Sequence, residues 1–355
     1  MTFAHRARML IAVVAALSLG ATAMSRAQGD ASKPATGTVS LAGAGATFPA
    51  PLYDKWIAVY GAAHPNVAIR YKAVGSGEGI KRFIAETVDF AGSDEALSES
   101  AAAKVESGAA TVPVTVGMVV LAYRIPGVTG QIKLPRDVYV DIFAGKIRRW
   151  NDPRIEAANP GISFPKRDIA IVARLDSSGT TAAFTRHLAV AEPSWRASKL
   201  GVGKLIAWPA QTMLAAGNEG VAARIKISEG AIGYVEYGFA KRLGLQIAAL
   251  QNKSGTFVAP TEAAAQLALS ARVAEADELE RSVVDPTAVG AYPIVSYSWL
   301  FLYRHYREPA KAEALKNFVA WGLTEGQRYG RELGYVPLSN DIVDLGRQIL
   351  GTVGN

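Results

Sequence analysis

Hydrophobic and polar positions along this chain recur at two different periods, and the changes between them predict its first elements. Apolar residues in 52–60 recur at helical spacing after Pro51, a residue that suits the first turn of a helix. Residues 67–71 alternate apolar and polar side chains, as a half-buried strand does. A second helical face follows at 80–84. The pattern therefore predicts a helix, a strand and a helix in succession.

Two long, nearly continuous apolar runs stand out further along, at 112–123 and 292–303. Such runs are typical of strands covered on both faces. Shorter strands are predicted at 88–91, 168–174 and 232–235, and further helices from Thr181, at 309–321 and at 324–333. Strands that alternate with helices predict an α/β fold with largely parallel sheets. The two long runs could be the crossings between two lobes.

The first 27 residues have the pattern of an export signal. A basic start with Arg6 and Arg8 precedes an apolar stretch at 9–24, and Ser25 and Ala27 are small residues at the positions that a signal peptidase reads. The stretch is shorter than the roughly 20 residues that a membrane-spanning helix needs. We therefore expect cleavage near Ala27, followed by a flexible leader at 28–38.

Charge and composition narrow the class of protein. The chain has 355 residues, with 38 basic and 31 acidic residues and no Cys. Removing residues 1–27 takes away three arginines, which leaves 35 basic against 31 acidic residues, a net charge of +4. This balance, without a basic stripe interleaved with aromatics, argues against a nucleic-acid partner. The absence of Cys excludes disulfides, thiolate metal sites and a Cys-linked lipid anchor.

The candidate ligand-binding residues are concentrated in four polar loops, which we interpret as strand-to-helix turns: 45–48, 75–77, 92–94 and 174–180. Three of them place a hydroxyl beside glycines just before a helix. In open α/β sheets, ligands bind outside the carboxyl ends of the strands, where helix N-termini and free N–H groups favour anions. Arg174 adds a planar cation suited to a tetrahedral oxyanion. The alternative is that Thr47, Ser76 and Ser178 are ordinary helix caps.

Asp94 is the most informative residue of these loops. A carboxylate in an anion site repels its ligand unless the ligand brings a proton to share. Hydrogen phosphate carries such a proton near neutral pH, and sulfate does not. Sites that depend on one hydrogen bond can reject an analogue that lacks it by about 10⁴–10⁵. Asp94 therefore favours phosphate as the ligand. The alternative is that Asp94 is a helix cap or a turn former, in which case it would not indicate which anion binds.

Signals for a dinucleotide site, a metal site and a hydrolytic site are weak or absent in the sequence. The glycines at 75–79 resemble a dinucleotide fingerprint, but its third glycine is misplaced because Ile80 stands there. His64, His187 and His305 have no metal-ligand spacing, and His5 lies in the signal. No Gly-x-Ser-x-Gly elbow marks a hydrolase, and no P-loop is present. We therefore expect no cofactor, no metal and no catalysis.

Ordered motifs across about residues 41–303 resemble the periplasmic phosphate-binding proteins of ABC importers. The opening Gly-Ala-Gly-Ala-Thr-Phe-Pro-Ala-Pro at 43–51 is followed by Tyr53 and Trp56. Further motifs follow in family order, at 75–76, 88–90, 93–94, 145–147, 150–152, 174–176, 178–180, 217–220 and 230–237. No single motif decides the resemblance, but the ordered set is specific.

The resemblance implies a two-lobed α/β fold of type II, in which a hinge lets the lobes close on one phosphate. It implies lobe I at 39–117 plus 293–355 and lobe II at 118–292. It implies that Asp176 holds Arg174 without touching the ligand. The implied phosphate contacts are the Thr47 hydroxyl, the Phe48 N–H, Ser76, Asp94, Arg174, Ser178, the Gly179 N–H and Thr180.

One departure concerns residues 75–79, where relatives often have Gly-Ser-Ser-Gly-Gly and this chain has Gly-Ser-Gly-Glu-Gly. The change removes a hydroxyl at Gly77 and adds Glu78 near an anion site. Any contact from position 77 is therefore in doubt.

The expected function is capture of inorganic phosphate in a periplasm, without chemistry, and delivery to an inner-membrane ABC permease and its ATPase. We expect the mature chain to be a monomer without a lipid anchor. The alternatives are a secreted phosphoester-binding enzyme and a broader oxyanion-binding protein.

Overall fold

Strands and helices alternate along most of the chain. The computed structural model describes residues 37–269, 279 and 283–354. Its strands are β1 (Val39–Gly45), β2 (Val67–Ala73), β3 (Phe90–Ser93), β4 (Ala109–Arg124), β5 (Lys133–Leu134), β6 (Ala170–Arg174), β7 (Met213–Ala215), β8 (Ala231–Glu236), β9 (Gln246–Ile247), β10 (Ala249–Gln251), β11 (Phe257–Val258) and β12 (Val295–Tyr303).

The helices lie between these strands and after the last of them. They are α1 (Ala50–Ala63), α2 (Ser76–Ile84), α3 (Glu99–Ala102), α4 (Arg136–Phe143), α5 (Pro153–Ala158), α6 (Gly179–Ala191), α7 (Pro193–Ala197), α8 (Gly217–Ile227), α9 (Tyr237–Arg242), α10 (Glu262–Ala268), α11 (Pro309–Leu323), α12 (Gly330–Leu333) and α13 (Asn340–Leu350). A 3₁₀ helix at Glu325–Tyr329 lies between α11 and α12.

A large mixed sheet organises the fold, with the strand order β2-β1-β3-β12-β4-β8-β6-β7, and β9 also pairs with β4. A small sheet has the order β11-β10-β5. We call β2, β1, β3 and β12 with residues 109–118 of β4 the first half-sheet. The second half-sheet contains residues 119–124 of β4 with β8, β6 and β7.

Strand β4 joins the two half-sheets because it changes partner along its length. Its first part pairs with β12, up to Met118 opposite Val295, and its second part pairs with β8, from Val119 opposite Glu236. At the change of partner, the Val119 N–H donates to the Ile294 oxygen at 2.9 Å. The two long apolar runs of the sequence are therefore β4 and β12, and both are buried almost throughout.

The prediction of largely parallel sheets was wrong. Pairs β1–β2, β1–β3, β6–β7 and β6–β8 are parallel, whereas β12–β3, β12–β4 and β4–β8 are antiparallel. A continuous apolar run shows that both faces of a strand are covered, but antiparallel strands at the centre of a sheet are covered in the same way. The predicted α/β class is confirmed, with a mixed sheet.

The predicted helix at 324–333 was also wrong, because the chain forms the 3₁₀ helix and then α12. The Trp56 indole N–H donates to the Gly326 oxygen at 2.8 Å. A Cβ at Gly326 would lie only 2.9 Å from the same indole. Tight packing on the fully buried Trp56 therefore decides the backbone here. Smaller errors were the start of β3, two residues after the predicted one, and of α6, two residues before it.

The predicted signal peptide and residues 28–36 of the leader lie outside the described residues. In the part of the chain that the structure describes, no helix has the length and apolar character to cross a membrane.

Candidate functional site

The four polar loops come together between the two half-sheets. Three of them follow β1, β2 and β3, and since these strands are neighbours and parallel, their carboxyl ends meet at one edge of the first half-sheet. The fourth follows β6 of the second half-sheet and leads into α6. Direct side-chain contacts join the two groups of loops.

Asp94 lies where the two groups of loops meet, and each oxygen of its carboxyl group accepts a hydrogen bond. Ser298 of β12 donates to Oδ1 at 2.8 Å, and Thr180 of α6 donates to Oδ2 at 3.2 Å. The Asp94 backbone N–H donates to the Ser76 hydroxyl at 3.2 Å. Ser76, Asp94 and Thr180, predicted from three separate loops, therefore form one buried cluster.

The surroundings of Asp94 change its acidity. Burial raises the pKa of Asp94 to about 7, and the hydrogen bonds from Ser298 and Thr180 with the nearby charge of Arg174 oppose this rise only in part. The carboxyl therefore exchanges a proton near neutral pH, where an exposed Asp is fully ionised. In its ionised form the carboxyl can accept a proton from a ligand.

Arg174 is held by Asp176 and aimed at Thr180. Its Nε donates to Asp176 Oδ1 at 2.8 Å, and its Nη2 contacts Oδ2 of the same carboxylate. Its Nη1 donates to the Thr180 hydroxyl at 3.3 Å. Burial acts to raise the pKa of Asp176, but the hydrogen bonds and charge of Arg174 outweigh it and lower that pKa. The side chain of Arg174 is almost completely buried, so its charge acts in a site of low dielectric.

The N-terminus of α6 packs closely on the loop that carries Asp94. The Ser178 hydroxyl caps the helix by accepting from the Thr181 N–H at 3.1 Å. A Cβ at Gly179 would lie 2.5 Å from the Ser76 hydroxyl and 2.9 Å from the Asp94 nitrogen. Only glycine permits this approach, which brings the N–H groups and the positive end of the helix dipole to the site.

Thr47 and Phe48 are the remaining predicted contact residues that follow a strand of the first half-sheet. The Thr47 hydroxyl accepts from the Asn218 backbone N–H at 3.1 Å and from its side-chain amide at 3.0 Å. The Phe48 ring is fully buried, and its carbonyl accepts from the Tyr335 hydroxyl at 2.6 Å. The backbone of residues 47–48 is thereby fixed at the start of α1.

Asn218 and Ser298 were missed by the sequence analysis. The Asn218 amide donates to both Thr47 and Thr180, at 3.0 and 3.2 Å, and so links the two half-sheets. The available signals were the Gly-Asn-Glu-Gly stretch at the start of α8 and the two serines, Ser296 and Ser298, inside an otherwise apolar strand. Ser296 donates to the Asp94 carbonyl at 3.3 Å, so both serines support the same residue.

Contacts of neighbouring residues explain why this chain has Gly77 and Glu78 where relatives often have Ser and Gly. Glu78 pairs with Arg82 at 2.8 Å along α2. The Gly77 N–H donates to the Ser177 oxygen at 2.9 Å, and a Cβ at Gly77 would lie 1.9 Å from the Ser177 hydroxyl. Ser177 therefore occupies the space that a side chain at position 77 would need.

Glu236 is a second buried carboxyl, at the point where β8 meets the change of partner in β4. One oxygen accepts from the Gly238 N–H at 2.8 Å, and the other has no hydrogen-bond partner among the described residues. Burial raises the pKa of Glu236 to about 8, although the Gly238 bond and the charge of Arg242 act against this. The Glu236 N–H donates to Asn218 at 2.9 Å, which ties this carboxyl to the site.

These shifts predict a pH dependence of stability. Between about pH 4, where Asp and Glu ionise in the unfolded chain, and about pH 7–8, the folded chain holds protons that unfolding releases. Stability should therefore fall as pH rises through this window, by up to about 1.4 kcal/mol per pH unit for each group. We expect Glu236→Gln to flatten this slope in urea unfolding, whereas Glu229→Gln, at an exposed ion pair, should leave it unchanged. Equal slopes in both variants would contradict the assignment to Glu236.

No group of three His, Asp or Glu side chains able to hold a metal ion occurs among residues 37–269, 279 and 283–354. His187 of α6 is buried, with Nε2 at 2.9 Å from the Tyr139 hydroxyl. The polar loops bring together an arginine, a buried carboxyl, hydroxyls and the N-terminus of α6.

Comparison with known proteins identifies the class. A family model for the PBP superfamily domain matches residues 30–325, so the chain is a member of that superfamily. Proteins named "Phosphate-binding protein PstS" from Pasteurella multocida and Methanocaldococcus jannaschii are 36% and 38% identical to it. The alignments cover 86% and 87% of this chain and 88% and 85% of those proteins. The chain belongs to the PstS family of phosphate-binding proteins, and the resemblance read from its motifs is confirmed.

Solved structures show the same fold. A high-affinity periplasmic phosphate-binding protein, PfluDING, matches with a TM-score of 0.71 at 20% identity, over 89% of this chain and 99% of that one. The phosphate-binding protein from Stenotrophomonas maltophilia matches with a TM-score of 0.70 at 21% identity, over 87% and 93%. The chain has the two-lobed fold of periplasmic binding proteins.

Proposed function

We propose that this protein binds inorganic phosphate at the four polar loops and delivers it to an inner-membrane ABC transporter. The observation that carries the proposal is a buried, proton-exchanging Asp94 within reach of the same Thr180 hydroxyl that Arg174 contacts. A site for a fully ionised anion gains nothing from a carboxyl at this place. A site for hydrogen phosphate gains an acceptor for its proton.

The donors suit a tetrahedral dianion. The phosphate contacts we propose are the Thr47 hydroxyl, the Phe48 N–H, Ser76, Asp94, Arg174, Ser178, the Gly179 N–H and Thr180. Each charge-assisted hydrogen bond is worth roughly 1.5–3 kcal/mol, and micromolar binding needs only about 8 kcal/mol. A few good contacts therefore suffice after the cost of closing the site. We propose that Asp176 holds Arg174 by its two contacts and does not touch phosphate.

Asn218 has a positioning role in this proposal. Its amide lies on the Thr47 and Thr180 hydroxyls, one from each half-sheet. By donating to the Thr47 oxygen it leaves the Thr47 hydrogen free to point at an anion, whereas the Thr180 hydrogen points at Asp94. Ser298 holds Asp94 in place by donating to Oδ1, while Oδ2, which accepts from Thr180, keeps a second lone pair for the shared proton.

We propose that the two half-sheets belong to two lobes that close on phosphate, lobe I at 39–117 plus 293–355 and lobe II at 118–292. The change of partner between Met118 and Val119 in β4 supports this boundary. The return of the chain near Ile294, which bonds Val119, supports the second crossing. A hinge at these two crossings lets loops of either lobe reach the same ligand.

The proposal extends to the setting of the protein. The relatives carry the name phosphate-binding protein PstS, and PfluDING is described as periplasmic and was solved with phosphate bound. The export signal read at residues 1–27 supports a periplasmic location for this chain too. We propose that it acts there as a monomer without an anchor, performs no chemistry, and passes phosphate to a permease whose ATPase supplies the energy.

A thermal-shift panel tests the proposal. Phosphate should raise the unfolding temperature, because a ligand that binds only the folded state stabilises it by about 2.7 kcal/mol at a hundred times its dissociation constant. Sulfate, phosphonates, molybdate and nucleotides should produce little or no shift. A comparable response to several oxyanions would favour a broad oxyanion-binding protein, and hydrolysis of a phosphoester by the pure protein would favour an enzyme.

A further inference from the structure

Glu95 immediately follows Asp94, and its carboxylate contacts two cations from the other side of the site. The Arg186 Nη2 donates to Oε1 at 2.7 Å, and the Lys204 Nζ contacts Oε2. Arg186 lies on α6, and Lys204 lies in the connection between α7 and β7. We call Glu95, Arg186 and Lys204 the Glu95 clamp.

Each member of the clamp is tied directly to a residue of the phosphate site. Glu95 is the neighbour of Asp94 in the chain, and Arg186 lies on the helix that begins with Gly179 and Thr180. The backbone carbonyl of Lys204 accepts from the Ser178 N–H at 3.0 Å. A movement that separates Asp94 from α6 must therefore also separate Glu95 from both cations.

The burial of the clamp decides how strongly it acts. The side chains of Glu95, Arg186 and Lys204 are 15%, 29% and 33% exposed, so the charges are partly shielded from solvent. An isolated exposed ion pair contributes little, but a network of several charges contributes more. A groove of ≈ 890 Å³ that includes Ser98 and Glu99 borders the clamp, so dissolved ions reach it and its strength depends on salt.

We propose that the Glu95 clamp holds the two lobes closed over bound phosphate and slows phosphate release. The proposal rests on the proposed function and its two lobes, since Glu95 belongs to lobe I and both cations to lobe II. None of the three side chains is among the proposed phosphate contacts. The clamp therefore acts on the closed state and leaves the choice of anion to the site itself.

The test is the rate at which radiolabelled phosphate leaves the full chain in excess unlabelled phosphate. Glu95→Gln keeps the shape of the side chain and should accelerate release by about three- to tenfold at low ionic strength. The difference from the native chain should shrink between about 0.01 M and about 1 M salt. Glu99→Gln removes an equal charge from an exposed position in the same groove and should release phosphate at the native rate.

A double-mutant cycle separates the clamp from a general loss of stability. In a chain that carries Arg186→Gln and Lys204→Gln, the further change Glu95→Gln should alter release by less than about twofold. Full additivity of these changes, or a native release rate for Glu95→Gln at low salt, would overturn the proposal. Phosphate/sulfate selectivity should be native in every clamp variant, and a changed selectivity would also overturn it.

Failure of the proposed function can be distinguished from failure of the clamp. If the native chain binds no phosphate, the function fails before any comparison of release rates. The clamp is then tested by X-ray scattering of the ligand-free chain, in which Glu95→Gln should increase the radius of gyration over that of the native chain and of Glu99→Gln. An unchanged radius would overturn the clamp by itself.

Discussion

Replacing Arg174 by alanine is expected to weaken phosphate binding by at least about 10³-fold, which would place a micromolar affinity beyond detection in titration calorimetry. Arg174 is the one cation among the proposed contact residues, and its side chain is almost completely buried. The substitution removes two or more charge-assisted hydrogen bonds. It also leaves the Asp176 carboxylate without its main partner, so that an uncompensated negative charge faces the incoming anion.

The matched control for this variant is Arg136→Ala. Arg136 also makes a bidentate ion pair with a buried carboxylate, at 2.7 and 2.8 Å from the two oxygens of Asp285. It is not part of the polar loops. Its loss should lower the unfolding temperature and leave phosphate affinity near the native value. Near-native affinity in folded Arg174→Ala would remove Arg174 from the site.

Asp94→Asn is expected to reduce the preference for phosphate over sulfate by at least about 10²-fold, within the range that one specific hydrogen bond can supply. In the native chain, Oδ2 can accept the proton of hydrogen phosphate and has no hydrogen to offer a sulfate oxygen when Asp94 is ionised. The Asn amide offers a donor at the same place. Sulfate should therefore bind better and phosphate worse.

Asp54→Asn is the control for the change of charge. Asp54 is exposed and lines a groove with Thr47 and Asp176, so the variant removes a nearby carboxylate that makes no proposed contact. Parallel calorimetric titrations of both variants with phosphate and sulfate give the selectivities. An unchanged ratio in Asp94→Asn would refute the proton-sharing role, and an equal change in Asp54→Asn would reduce it to long-range electrostatics.

The sequence was most informative where local rules decide the structure. Glycines and hydroxyls between a strand and a helix predict an anion site, and the structure brings the loops of Ser76, Asp94, Arg174 and Thr180 together. This was predictable because strand ends and helix N-termini carry their chemistry in a few consecutive residues. The burial of Trp299 and its neighbours in β12 follows in the same way from a continuous apolar run.

Contacts between distant segments were not predictable. Ser298 reaches Asp94 across 204 positions of sequence, and Asn218 reaches Thr47 across 171. Each acts through one side chain whose partner is fixed only by the tertiary fold. The antiparallel pairing of β4 with β12 was not predicted for a related reason. A continuous apolar run indicates that both faces of a strand are covered, but it does not indicate the direction of the neighbouring strand.

The Glu95 clamp belongs to the same group of unpredictable features. In the sequence, nothing distinguishes Glu95, Arg186 and Lys204 from charged residues on the protein surface. Only the packing of α6 on the loop after β3 brings their charges together. We propose that the site selects the anion and that the clamp sets how long it is held.

We propose that the native chain binds hydrogen phosphate and uses its proton to exclude sulfate. The decisive experiment is titration calorimetry of the full chain with phosphate, and separately with sulfate at the same pH and ionic strength. We expect saturable binding of one phosphate per chain with micromolar or tighter affinity, and no measurable heat of binding with sulfate. Absence of phosphate binding, or equal affinities for the two anions, would contradict it.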